Sequence, residues 1–221
     1  MRPYGVIQLT PSSPAQQFTE PLDLHQIQKH LNLPEQSGHD EVLNAMITAA
    51  RVLAEAAQNR DLIVKQYDLN IDHFSVWWPG RQLHQNFVLG GYIEYAIPLR
   101  NPLVRVDLLR YRDATGAYTM LTEGPDYIVD TARGLVLPPY GQTWPSFTPW
   151  PSSAVLIRFS SGMTADDPFW LNEGQVILGG MKYLITQWFT NRIPFEPAAK
   201  IEEYPYSVTS MLGFGAIPRV K

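Results

Sequence analysis

The chain has 221 residues, of which 45% are hydrophobic and 17% charged, and its formal net charge is −4. This length suffices to bury a sizeable core, and the acidic balance argues against a dedicated nucleic-acid surface, which needs clustered Lys and Arg. The absence of cysteine excludes disulfides and thiolate metal sites. No stretch approaches the roughly 18 apolar residues of a membrane span, and residues 1–19 lack the features of a signal peptide, so no membrane partner is predicted.

The first predicted elements are an arm and two helices. Residues 1–21 carry several prolines and no sustained periodicity, and such an extended arm either stays loose or lies on a neighbouring subunit. Asp23 is a suitable cap for a short helix over 23–31. In the next helix, 41–59, apolar residues recur at spacings of three and four, and Asn59 tolerates the left-handed conformation common at helix ends. The predicted buried stripe of this helix comprises Leu43, Met46, Ile47, Ala50, Leu53, Ala54 and Ala57.

A β insertion is predicted over residues 62–160. Short runs of β-branched and aromatic residues alternate there with Gly, Pro and Asn, which is typical of strands joined by turns. The tetrapeptide Asp113-Ala114-Thr115-Gly116 predicts a hairpin. Residues 138–153 hold five prolines and two tryptophans, which predicts a long, partly packed loop. The predicted strands are 62–71, 92–98, 103–111, 118–121, 127–130, 134–137 and 154–160.

A second long helix is predicted over 171–191 and an extended tail over 194–221. Gly179 and Gly180 cost this helix about 1 kcal/mol each relative to alanine, and a close crossing with another backbone would explain the cost. The tail has too few apolar residues to bury itself, so it is predicted to order on a partner. The predicted class is α+β: a helical body of two long helices plus short ones, with a β-sheet insertion between them, in one connector domain over 22–193, followed by the extended C-terminal tail.

The chain lacks the patterns that carry catalysis. No nucleophile elbow, phosphate loop or dinucleotide-binding turn is present. No two histidines show the spacing of a helical zinc site; they are His25, His30, His39, His73 and His84. Asp166 and Asp167 precede a predicted helix, where acidic residues suit the helix dipole. The sequence therefore predicts no enzyme, no cofactor and no metal.

Two alternatives remain open. One is a hydrolase that uses Asp166 or Asp167 with a distant histidine. The other is a carbohydrate-binding β module with helical flanks, because exposed aromatic side chains can stack on sugars or bases. The carbohydrate-binding alternative rests on Trp77, Trp78, Trp144 and Trp150. Aromatic residues beside prolines more often pack loops onto a sheet or fill subunit contacts.

Three stretches of the chain, in this order, resemble a known family. They are residues 22–31 with 43–51, residues 97–106 with Asp126-Tyr127 and Trp144-Pro145, and residues 187–192, which read Gln-Trp-Phe-Thr-Asn-Arg. They look like the opening helix pair, the β insertion and the end of the last long helix of one group of virion proteins. These are the head–tail connector proteins of tailed bacteriophages, also called adaptor or head-completion proteins, including the adaptors of gene-transfer agents.

This resemblance implies a structural virion protein that forms a ring, a dodecamer, between the capsid portal and the tail. Its implied partners are further copies of itself, the portal protein, and a stopper or tail-completion protein. Genomic DNA would pass through the ring without sequence-specific binding, and the protein would reside at the virion neck after synthesis in the host cytoplasm. The residues predicted to contact the portal or a neighbouring subunit are Tyr204, Tyr206, Met211, Leu212, Phe214, Arg192, Trp77, Trp78 and Trp144.

Overall fold

The computed structural model describes residues 8–11, 19–34, 38–74, 96–190 and 206–213. They divide into two compact units. The β unit contains the described residues within Met1–Gln17 and Val64–Gly162, and the helical unit those within Phe18–Ile63 and Met163–Pro218. Most of the β unit is therefore inserted in the chain between the two halves of the helical unit, and the predicted α+β class is confirmed.

The helical unit begins with two helices whose ends follow from local chemistry. In α1 (Leu24–His30), the carboxylate of Asp23 accepts a hydrogen bond from the Gln26 backbone N–H at 2.6 Å, and the Gln26 side chain accepts one from the Asp23 backbone N–H. In α2 (Asp40–Gln58), the helix ends where Asn59 adopts φ 54°. Both predicted helix signals are confirmed. A 3-10 helix (Pro168–Leu171), α3 (Glu173–Thr190) and α4 (Tyr206–Leu212) follow.

The core of the helical unit lies among α2, α3 and α4. Four residues of the predicted α2 stripe are fully buried: Leu43, Ile47, Ala50 and Ala54. Leu53 and Ala57 are exposed instead, because α2 has apolar residues on opposite faces and spacing alone does not show which face meets the core. The other helices contribute Ile177, Met181, Leu184, Ile185, Val208 and Leu212.

The β unit consists of two antiparallel sheets. The larger has the strand order β1-β2-β8-β4-β5 and the smaller the order β3-β7-β6. The strands are β1 (Gln8–Pro11), β2 (Lys65–Ile71), β3 (Ile97–Pro98), β4 (Leu103–Arg112), β5 (Tyr118–Leu121), β6 (Ile128–Asp130), β7 (Leu135–Leu137) and β8 (Val155–Ser161). Every strand from β2 onward overlaps a predicted one. Part of the predicted strand 92–98 lies outside the described residues.

One described part of the predicted N-terminal arm pairs with its own chain. Residues Gln8–Pro11 form β1, which pairs antiparallel with β2 of the same chain, from Gln8 opposite Asn70 to Pro11 opposite Tyr67. Backbone pairing, which needs no apolar pattern, explains why periodicity did not reveal this strand. Residues Gln8–Pro11 therefore form one edge strand of the larger sheet.

One hydrophobic core serves both sheets of the β unit. Fully buried residues from the larger sheet, such as Leu109 and Phe159, pack with Ile97 and Val136 from the smaller one. The proline-rich loop 138–153 contributes Trp144 to this core. The predicted partial packing of that loop is confirmed, as is the predicted hairpin, where the Asp113 carboxylate accepts hydrogen bonds from the backbone N–H groups of Thr115 and Ala117.

Candidate contact surfaces

The tail contains a helix that packs on the subunit itself. The sequence predicts an extended tail, but Tyr206–Leu212 form α4, which lies against α3 at Gly180. A Cβ atom at Gly180 would lie 3.0 Å from the Met211 Cβ and 3.1 Å from the Leu212 Cδ2. The predicted close crossing is confirmed for Gly180. At Gly179, in contrast, a Cβ would meet no described atom within 4 Å.

This pair of glycines makes a matched test. In the isolated subunit, Gly179→Ala is expected to raise the free energy of unfolding by about 1 kcal/mol, because alanine favours the helix and its Cβ meets no described atom within 4 Å. The free energy of unfolding of Gly180→Ala is expected to be about 1–3 kcal/mol lower than that of Gly179→Ala, because the added methyl group overpacks the contact with α4. Urea denaturation of both variants measures the difference. Equal stability of the two would contradict close packing at Gly180.

Buried charges join the segments of the helical unit. The Arg51 guanidinium donates to the Glu20 carboxylate at 2.8 Å and to the Glu55 carboxylate at 2.8 Å. Glu55 also accepts from the Leu62 backbone N–H at 3.1 Å. The side chains of Arg51 and Glu55 are each only 7% exposed. A buried charge is tolerated only when it is paired and hydrogen-bonded, so this network fixes Glu20 and Leu62 relative to α2.

Gln58, at the end of α2, connects three further parts of the helical unit. Its side-chain NH2 donates to the Leu212 carbonyl oxygen at the end of α4. Its side-chain oxygen accepts two hydrogen bonds from Arg60, at 3.1 and 2.9 Å. Arg60 also pairs with Glu173 at 3.2 Å and lies 4.7 Å from the Phe169 ring centroid. The amide of Gln58 thus helps to hold α4 in place.

An arginine–aromatic cluster lies on the larger sheet and its adjoining loop. The Arg112 guanidinium lies 3.8 Å from the Trp150 ring centroid and 5.2 Å from that of Tyr118, and Arg110 lies 4.5 Å from Tyr118. Tyr118 and its strand neighbour Met120 are 54% and 57% exposed. Sequence reasoning missed this cluster, although the alternate arginines of β4 were a signal that one strand face is polar.

The charges farther along the same sheet pair with one another. Arg158 forms two hydrogen bonds with Asp68, at 2.7 and 2.8 Å. Burial acts to raise the pKa of the Asp107 carboxyl, but hydrogen bonds from Arg105, Gln66 and Ser160 outweigh burial and hold that pKa below its ordinary value. The Asp107 carboxylate is therefore held ionised by its neighbours and is not poised to exchange protons near neutral pH.

The predicted contact residues fall into three groups. Trp144 is buried, with its ring stacked on Phe74 at a centroid distance of 4.7 Å. Met211 is half-buried and Leu212 is buried against the subunit's own helices, and Tyr206 is the first residue of α4. The rest lie outside the described residues: Trp77, Trp78, Arg192, Tyr204 and Phe214. While α4 stays docked, Leu212 is not presented to a partner.

The described residues offer little to either alternative function. The Asp167 carboxylate accepts from the Phe169 backbone N–H at 2.9 Å and caps the 3-10 helix, which agrees with the expectation that an acidic residue here acts at a helix start. Within the described ranges, no three His, Asp or Glu side chains group as metal ligands, and no helix is both long and apolar enough to cross a membrane. Trp144 and Trp150 already stack on Phe74 and Arg112.

Solved structures share this fold over nearly the whole chain. One is a chain from the neck of an empty gene transfer agent (GTA) particle computed with C6 symmetry, with a TM-score of 0.66 and 20% identity. Another comes from the neck of a native GTA particle computed with C12 symmetry, with a TM-score of 0.62 and 20% identity. A third, from the virion of a native GTA particle, has a TM-score of 0.64 and 19% identity. Each alignment covers 97% of this chain and 98% of the other.

The comparisons with sequences are negative: no protein-family model matches the chain, and no curated protein matches it. The resemblance that the sequence indicated therefore rests, beyond its motifs, on three-dimensional structure. At 19–20% identity, nearly complete coverage of both chains still shows one common architecture. This protein has the fold of the gene-transfer-agent neck chains.

Proposed function

We propose that this protein is a structural subunit of a head–tail neck, where it forms a ring between the capsid portal and the tail. The observation that carries the proposal is the shared fold with GTA neck chains over 97% of this chain. Two of those necks were computed with C6 and C12 symmetry, which supports a ring of twelve copies. The protein acts by its contacts and not by catalysis.

The composition supports this role. Only 17% of the residues are charged, which suits a subunit whose sides are covered by neighbours. The net charge of −4 limits counterion release on DNA, so the genome would pass along the channel without being held. The further partners are the portal and a stopper or tail-completion protein, with Trp77, Trp78 and Arg192 as proposed contacts.

Electron microscopy tests the ring directly. Negative-stain images of the purified protein, alone and with its portal, are expected to show rings that dock on the portal with a common axis. Particles that stay single at high concentration, with and without portal, would contradict the proposal. A sugar ligand found on a glycan array would favour the carbohydrate-binding alternative instead.

The tail beyond α4 is the proposed portal anchor. Ending the chain after Gly213 removes Phe214 but keeps α4, whose Val208 and Leu212 belong to the helical core. This truncation is expected to weaken portal binding at least tenfold, about 1.4 kcal/mol, because an aromatic anchor is lost. The free energy of unfolding is expected to change by about 0.5 kcal/mol or less.

A portal pull-down and a urea titration measure the two effects. Deletion from Tyr204 onward is not a suitable test, because it also removes α4 from the core. Capture of the portal by the truncated chain at full strength would show that residues 214–221 are not the anchor.

A further inference from the structure

The outward side of α2, opposite its buried residues, is apolar along its whole length. It consists of Val42, Ala45, Ala49, Val52, Leu53, Ala56 and Ala57. The three largest of these side chains are well exposed, with 43% for Val42, 51% for Val52 and 38% for Leu53. A helix at a protein surface normally turns polar residues outward, and a helix that is apolar on both sides is normally buried. This outward face of α2 therefore fits a covered state.

The residues on the outward face of α2 have the spacing that is found where two helices pack against each other. Val42, Ala45, Ala49, Val52 and Ala56 repeat at intervals of three, four, three and four, which is the pattern of helices that pack side by side. The alanines are small, so a partner helix can approach to the lower end of the usual 8–10 Å separation between helix axes. A sugar, a nucleic acid or a flat sheet would not require this repeat.

The same chain carries a helix face that fits this requirement. The outward face of α3 consists of Gly179, Tyr183, Thr186 and Thr190, which repeat at intervals of four, three and four. Tyr183 is 56% exposed, and its ring meets the His30 ring edge-on at a centroid distance of 6.4 Å. The hydroxyls of Thr186 and Thr190 donate to carbonyls of their own helix, at 2.9 and 2.8 Å. Their hydrogen-bonding needs are therefore met within α3, which lowers the cost of covering this outward face.

Gly179 supplies an independent reason to place a helix here. It costs α3 about 1 kcal/mol relative to alanine, and no described atom of the subunit comes within 4 Å of its Cβ position. Gly180 beside it is explained by α4, whereas Gly179 is not explained within the described part of the subunit. A close approach by a helix of another chain would account for it.

We propose that the outward face of α2 in one subunit packs against the outward face of α3 in the next copy of this chain. The inference rests on the proposed ring, because a closed ring needs two different faces that recognise each other. Charge supports the pairing: Glu41 flanks the α2 face and Lys182 flanks the α3 face, and such a pair at the edge of an interface favours one orientation.

The natural absence of cysteine allows a cross-linking test without background. The double variant Ala49→Cys with Gly179→Cys, treated with a short bis-maleimide, is expected to give a covalent ladder that extends to the full ring. Each single variant is expected to give no product larger than a dimer. The matched control joins Asn44→Cys with Gly179→Cys, since Asn44 is exposed on α2 but outside its outward face, and is expected to give no ladder.

A mixing experiment tests whether the two faces differ. Ala49→Arg and Gly179→Arg each block one face, and each variant alone is expected to be monomeric by analytical ultracentrifugation. An equimolar mixture is expected to form one-to-one dimers and nothing larger, because only one pair of intact faces remains. Circular dichroism should show both variants folded, since Ala49 is exposed and no described atom lies within 4 Å of the Gly179 Cβ position.

The possible outcomes separate this interface from the proposed function. A ladder and a one-to-one mixed dimer support the interface. Rings of the unmodified protein, seen by negative stain, with neither a ladder nor a mixed dimer would overturn the interface and leave the ring intact. If the ladder and the rings were both absent even with the portal present, the interface and the proposed function would both be overturned.

Discussion

Replacing Glu55 with alanine is expected to lower the free energy of unfolding by about 3–5 kcal/mol, because it removes one partner from a buried ion pair. Arg51 would lose its 2.8 Å bond to Glu55, and the Leu62 backbone N–H would lose its 3.1 Å acceptor. Denaturation in urea, followed by circular dichroism, measures the loss. The effect should appear in the transition of the helical unit.

Two further variants separate charge from hydrogen bonding. Glu41→Ala, on the exposed first turn of the same helix, removes the same charge and is expected to change stability by about 0.5 kcal/mol. Glu55→Gln keeps an acceptor for the Leu62 backbone N–H, so its loss of stability should fall between those of Glu55→Ala and Glu41→Ala. If Glu55→Ala cost no more than Glu41→Ala, the network would contribute nothing to stability.

Trp144→Ala is expected to destabilise the β unit by about 3–5 kcal/mol, the usual cost of truncating a buried aromatic residue. The indole ring stacks on Phe74 and is 8% exposed, so its removal opens a cavity in the core. Amide hydrogen exchange in β8 reports the free energy of opening of the β unit. Amide hydrogen exchange in α3, which belongs to the helical unit, should be unchanged.

Tyr140 provides the control, because it lies in the same loop and is 88% exposed. Tyr140→Ala is expected to change stability by about 0.5 kcal/mol or less. If Trp144→Ala kept the hydrogen-exchange protection of β8 but lost ring assembly, the predicted contact of Trp144 with a neighbouring subunit would be favoured instead. The two roles of this tryptophan are therefore separable by experiment.

Features governed by neighbouring residues were predictable from the sequence. The Asp23 cap, the left-handed Asn59 and the Asp113 turn each depend on bonds or backbone angles within four residues. The β insertion was predictable because its apolar runs change period at about residue 62. The neck-protein fold was indicated by the resemblance of three short stretches, which begin at residues 22, 97 and 187, and the shared fold agrees with that resemblance.

Features governed by distant residues were not predictable. Helix α4 has only seven residues, too few to be stable alone, and its place depends on Gly180 and Gln58. The two faces of α2 are both apolar, so spacing could not separate Leu43, which is buried, from Leu53, which is exposed. Trp144 beside its prolines looked the same in sequence whether it covered a core or met a partner.

The hydrogen bond from Gln58 to the Leu212 carbonyl joins residues 154 positions apart, and this separation governs the order of folding during translation. The β strands through β8 emerge from the ribosome before α3 and α4 are made, so the β unit has its strands available first. The helical unit lacks its last core residues until the ribosome has passed Leu212. Ribosome-bound chains that are halted after β8 has left the exit tunnel, but before Leu212 has emerged, should therefore contain a formed sheet and an unfinished helical unit.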